Sequence, residues 1–278
     1  MVSAAIEEVR AALQTGSVVP YLGPGMLALS GEACPLPASP EALADRLTAK
    51  VSVPHKIRKN VTAAAQFIEN FKHRKTVKTA LTEAFQPAVR PSELHYFLAG
   101  LPRLPMIVHA WYDDLPQKAL ASRGNGRANS WGMLQGVSQA EHFGTWVHGF
   151  NADGTPASDG TAAWETLLYQ PFGSVSPAAN FLVSDSDYVE VLTEIDIQTP
   201  IPEAVQKTRT GKHFLFVGCR FATQLERLFA RQIMKRSSTK HWAVLPGELT
   251  KNEARFLAEQ NIERIDAPLK EFAGALVS

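Results

Sequence analysis

The last third of the chain constrains the fold most. From residue 213 the sequence alternates without a break. "HFLFVG" is an apolar run closed by Gly, "ATQLERLFARQIM" an amphipathic helix, and "HWAVLP" a second apolar run. "TKNEARFLAEQ" is a helix opened by a Thr250/Glu253 capping box, "IERIDA" a third strand and "PLKEFAGALV" a final helix. Strands that are apolar on both faces and alternate with helices pair in parallel, and helices cover both sides of their sheet.

The preceding segments fit the same plan. "SAAIEEVRAALQTG" sets Ile6, Val9 and Leu13 on one helical face, with Gly16 placed to end the helix, and the strand "VVPYL" follows. Residues 40–100 read as a helical insertion after this first strand. Ser39 caps a helix with Pro40 in its first turn, "VTAAAQFIENF" has helical spacing, and "SELHYFLAGLP" is capped by Ser92. "MIVHAW" is a short buried strand with Asp113 and Asp114 just past its end. Residues 122–141 and 151–163 are rich in Gly, Ser and Asn and read as loops. Between them "GTWVHGF" is a strand whose end presents His148 and Gly149. "NFLVSDSDYVEVL" is a strand passing into a helix capped by Ser184 or Asp185. With no repeat or low-complexity tract, residues 1–278 are expected to form a single domain.

Charge narrows the partners. The 28 Lys and Arg nearly cancel the 27 Asp and Glu, so there is no basic field for nucleic acid or an anionic membrane. No apolar run approaches the ~20 residues that cross a bilayer, and the first residues lack the basic start of a signal peptide, so a cytoplasmic location is expected. Cys34 and Cys219 alone cannot build a four-cysteine zinc module, and both are expected as reduced thiols. Trp131, Trp146, Trp164 and Trp242 fall in or near loops and strand ends, where they serve either as interface anchors for a protein partner or second copy, or as core filling.

Ligands of open parallel sheets bind beyond the carboxyl ends of the strands. Four groups follow strands here: Gly23-Pro24-Gly25 after "VVPYL", Asp113 after "MIVHAW", His148-Gly149 after "GTWV", and Gly218-Cys219-Arg220 after "HFLFV".

In that order, "PYLGPGML", "VHAWYDDL", "WVHGF" and "FLFVGCR" resemble the motifs of the SIR2-like family, and "FLVSDSDYVEVL" resembles the acid-Asp-Tyr segment of its non-sirtuin bacterial branch. The resemblance runs from about residue 17 to 235. It implies a Rossmann-like sheet and NAD as cofactor. His148 would be the catalytic base and Asp113 the anchor of the nicotinamide carboxamide. Gly23, Pro24, Gly25, Trp111, Gly149, Gly218, Cys219 and Arg220 would lie against the nucleotide, with no metal.

Three departures from the family pattern bear on function. Pro24 and Leu27 replace an alanine and a serine of the first glycine motif, removing a backbone donor and a hydroxyl. Trp111 stands where the family carries an asparagine that positions ribose or water. Cys219-Arg220 replaces small hydroxyl residues, and an arginine there offers bidentate pairing to a diphosphate. The expected function is a degenerate SIR2-like module that binds NAD, ADP-ribose or a protein partner with little or no turnover. The alternative is an NAD glycohydrolase of the bacterial defence type. A zinc-dependent protein deacylase is disfavoured by the cysteine count.

Overall fold

The computed structural model describes residues 2–31, 33–124, 126–157, 164–194 and 200–278. Its centre is an eight-stranded sheet built from β1 (Val18–Leu22), β2 (Met106–His109), β3 (Trp131–Gly136), β4 (Val147–Asn151), β5 (Thr166–Gln170), β8 (His213–Val217), β9 (His241–Val244) and β10 (Ile262–Ile265). A separate two-residue ribbon pairs β6 (Gly173–Ser174) with β7 (Asn180–Phe181). The sheet order is β10-β9-β8-β1-β2-β5-β3-β4, parallel throughout except for β4 at one edge.

The strands inside the sheet are buried on both faces, which accounts for the near-continuous apolar sequence of β1, β2, β8 and β9. Beneath one face lie α1 (Val2–Gln14), α5 (Glu93–Gly100), α6 (Leu115–Ala121) and α11 (Leu269–Val277). Val9, Leu13, Leu98, Leu120 and Phe272 pack there against Leu22, Ile107 and Leu215. On the other face α8 (Glu203–Arg209), α9 (Gln224–Met234) and α10 (Lys251–Glu259) bring Val205, Ile233 and Phe256 onto Val19, Val108 and Phe214. Pro20 lies inside β1, and the ladder with β2 begins only at Tyr21.

A third core belongs to the insertion: α2 (Pro40–Thr48), α3 (Val61–Lys72) and α4 (Arg74–Phe85) enclose Leu43, Ile68, Leu81 and Phe85. This core closes over Trp111 and Tyr112 just beyond β2. The helical insertion proper therefore spans residues 40–85, because α5 belongs to the layer beneath the sheet. The expected caps form at Ser39, Ser92 and Thr250, and Gly16 takes φ +72° after α1. Ser184 Oγ accepts the Asp187 N–H at 3.3 Å at the start of α7 (Asp185–Glu194), so Asp185 lies inside that helix rather than capping it.

The loop expected over 122–141 is overturned in its middle, where β3 is a fully buried strand between β4 and β5. Its glycines serve packing, since a Cβ on Gly132 would lie 1.9 Å from the Trp164 ring and one on Gly136 2.2 Å from the Pro171 carbonyl oxygen. Within 151–163, residues 158–163 lie outside the described ones. Trp131 and Trp242 are core residues at 1% exposure, while Trp146 and Trp164 are half-buried. Among the described residues no helix is long and apolar enough to cross a membrane.

Candidate functional site

The chain runs from β1 to β2 on one side and places β8 on the other, so a crevice opens at the carboxyl ends of β8, β1 and β2. A cavity of about 300 Å³ occupies it. Its floor comes from the strand ends: Gly23 and Pro24 after β1, Trp111 and Tyr112 after β2, Phe172 after β5, and Cys219 and Arg220 after β8. Pro40, Glu41 and Asn60 of the insertion form one wall, and Tyr188 of α7 with Glu226 and Phe229 of α9 forms another.

The glycine turn is interlocked with the turn after β8. Gly23 N–H donates to the Val217 carbonyl at 2.9 Å, Gly25 N–H to the Gly218 carbonyl at 2.9 Å, and Met26 N–H to the Gly23 carbonyl at 3.1 Å. Pro24 has no N–H. Every donor from 23 to 26 is therefore satisfied within the protein or missing, where a phosphate cradle would direct them outward. The glycines permit this contact: a Cβ on Gly23 would sit 2.5 Å from the Gly218 oxygen and 2.8 Å from Cys219 Sγ. Leu27, in the position of the family's serine, is buried in the insertion core.

Trp111 is buried, and its Nε1 donates to the Pro37 carbonyl at 2.9 Å. Its ring meets Tyr112 at 5.1 Å and Phe85 at 5.9 Å. Asp113 is placed away from the cavity lining. Its Oδ2 lies 3.2 Å from His109 Nε2, and its Oδ1 accepts the Leu115 N–H at 3.1 Å at the start of α6. Burial pushes this carboxyl upward, but His109, His95 and the Leu115 N–H outweigh that effect and hold it below its ordinary value.

His148 is the second residue of β4 rather than the end of a strand, and it stands opposite Gln135. The strands β5 and β3 separate β4 from β2. The imidazole packs 4.6 Å from His142, and burial with that neighbour lowers its pKa. Neither His148 nor Gly149 lines the cavity. Gly218 takes φ +68° in the interlocked turn. Cys219 is buried with Sγ 3.5 Å from the Tyr21 carbonyl, and burial pushes its thiol up. The Arg220 guanidinium is held by Glu253 in a bidentate pair, Nε to Oε1 at 2.8 Å and Nη2 to Oε2 at 3.0 Å, and so faces a carboxylate of its own chain.

Most of the side chains that line the cavity are not marked by the strand-end signals, Tyr21, Phe172, Tyr188 and Glu226 among them. Tyr188 lies within the acid-Asp-Tyr segment, and its hydroxyl is 3.4 Å from that of Tyr112. The preceding Asp187 is buried and anchors the segment, with Oδ2 accepting the Val183 and Ser184 N–H groups and pairing with Arg74 of α4 at 2.7 Å. Phe172-Gly173 follows the strand "TLLYQ", so the strand-end signal used elsewhere along the chain applies to it as well.

A family model described as a SIR2-like domain matches residues 105–265, more than half of the chain. No curated protein matches significantly. Among solved structures, one described as "Structural Basis for the Mechanism and Regulation of Sir2 Enzymes" is similar at 14% identity with a TM-score of 0.46, covering 99% of this chain and 96% of that one. With its parallel sheet and its strand-end crevice, the chain belongs to the SIR2-like domain family.

Proposed function

We propose that this chain is a catalytically silent SIR2-like module with a regulatory or structural role, whose cavity holds a small ligand without turning over NAD. One observation carries the proposal: adjacent strands β2 and β5 are followed by aromatic side chains, Trp111 and Phe172, that both line the cavity. The family resemblance calls for an asparagine and a His-Gly pair at such strand ends. Phe172-Gly173 follows β5, the strand beside β2, and leads into the acid-Asp-Tyr segment, so in this reading it takes the place of His-Gly. His148 then belongs to an added edge strand.

The chemistry explains the weight of these two positions. Cleavage of the nicotinamide-ribose bond needs the sugar held in one pose and a proton acceptor beside it. Phe172 accepts no proton, and the one donor of Trp111 is already bonded to Pro37. Loss of one such polar group costs ~3 kcal/mol, roughly 100-fold in rate, and two independent losses roughly 10,000-fold. The engaged donors of the Gly23-Pro24-Gly25 turn and the Arg220–Glu253 pair support the same conclusion for a diphosphate. The NAD glycohydrolase alternative requires His148 to act from the sheet edge, and no observation favours it.

The test is nicotinamide release from NAD by the purified full chain. The expected result is no release above the uncatalysed background. Release that is lost in His148→Ala would overturn the proposal and establish the hydrolase.

A further inference from the structure

The charges around the cavity are arranged against an anion. Two cations reach it, and both are neutralised: Arg220 by Glu253, and Lys59 by Asp45, whose two oxygens each lie 2.7 Å from Nζ. The two carboxylates are not. Glu41 forms no ion pair among the described residues. Glu226 takes both hydrogen bonds of its helix cap, from Thr223 N–H at 2.7 Å and Thr223 Oγ1 at 2.9 Å, through Oε2, so the cap leaves Oε1 unengaged. Burial, with Glu253 and Glu41 nearby, raises the Glu226 carboxyl above its ordinary value.

Tyr21 gives an independent sign of a ligand. It is 5% exposed and lines the cavity, with its ring 4.9 Å from Phe216. Its hydroxyl has no hydrogen-bond partner among the described residues and is not sealed from the cavity that Tyr21 lines, so it is open to a ligand there. Cys219, Glu226 and Tyr188 line the same cavity. The rest of the wall is aromatic, chiefly Trp111, Tyr112, Phe172 and Phe229. Aromatic faces beside a carboxylate attract organic cations, and about 300 Å³ is at the small end of ligand sites.

We propose that this cavity is a binding site for a small arylalkylammonium cation. The ammonium donates to Glu226 Oε1 and the Tyr21 hydroxyl, and the aryl group lies among the aromatic side chains. The proposal rests on the preceding reading in one respect, the absence of a phosphate cradle.

The experiment is calorimetric titration of the full chain with 2-phenylethylammonium, its neutral isostere 2-phenylethanol, and ADP-ribose. Glu226→Gln removes the charge while a glutamine still serves the capping box, and Tyr21→Phe keeps the ring. Wild type is expected to bind the ammonium saturably and at least about tenfold more tightly than the alcohol. Glu226→Gln should weaken the ammonium about tenfold and leave the alcohol unchanged, and Tyr21→Phe should weaken both. Melting temperatures near wild type show that both variants are folded. Equal affinity for ammonium and alcohol, indifference of ammonium binding to Glu226→Gln, or tighter binding of ADP-ribose would each overturn the proposal. Nicotinamide release is read separately, so a catalytic chain and a cation-indifferent cavity are distinguishable failures.

Discussion

Gly25 donates its backbone N–H to the carbonyl of Gly218 across 2.9 Å, joining the turn after the first strand to the turn after β8. The two glycine turns that the sequence presents as separate ligand contacts are thus a single structural joint. Gly218 combines φ +68° with a Cβ position 2.5 Å from the Met26 nitrogen. Gly218→Ala should lower the free energy of unfolding by at least about 2 kcal/mol, combining backbone strain with displacement of the joint. Gly211→Ala is the control, since φ is +69° there but no atom lies within 4 Å of the added Cβ. It should cost less, and equal losses in urea melts would refute the joint.

Asp187 joins the insertion to the sheet layers. Its side chain is buried and meets Arg74 at 2.7 Å, Ser138 Oγ at 2.5 Å and two backbone N–H groups. Removing the carboxylate leaves these buried donors unpaired, at about 3–5 kcal/mol together, while Arg74 keeps Glu69 at 3.1 Å. Asp187→Ala should destabilise by that amount in chemical denaturation. Exposed Lys207, paired with exposed Glu203, should change stability by less than about 1 kcal/mol on substitution by Ala.

His95 makes stability depend on pH. It is 3% exposed, and burial lowers its pKa from 6.5 to about 4, so the folded protein holds it neutral. Between those values the unfolded chain binds a proton that the folded one does not, so stability falls as pH drops from 6.5 towards 4. The full effect is about 3 kcal/mol at 1.36 kcal/mol per unit. His241, also lowered to about 4 by burial, acts in the same direction. Stability measured across this window should decline less in His95→Gln, which keeps the Ser92 capping box. An unchanged slope would refute the role of His95.

Much of the fold was readable because its signals are local. The capping box at Thr250, the proline after Ser39 and the apolar runs of β8 and β9 do not depend on distant partners. The middle strands were hidden because their signal is tertiary. Gly132 and Gly136 look like loop residues until Trp164 and Pro171 are seen against them. The same tertiary signal hides β5, the strand beside β2, which is followed by Phe172 on the cavity, while His148 lies in β4 at the sheet edge. The Arg220 side chain looks available to a diphosphate because its partner, Glu253, lies beyond a full helix and strand later in the chain.

Restoring the family's asparagine at the end of β2 tests how deeply the site has changed. Trp111 is part of the insertion core, buried against Phe85 and Tyr112 and bonded to Pro37. Trp111→Asn therefore removes a large buried ring and should cost about 3–5 kcal/mol. It should restore no nicotinamide release, alone or with Phe172→His, because the donors of Gly23, Gly25 and Met26 remain bonded within the protein. Denaturant midpoints establish that the variants are folded, and the NAD assay reads the chemistry. Release by the folded double variant would show that two side chains alone separate this chain from an enzyme, and that the interlocked glycine turn opens to admit a nucleotide.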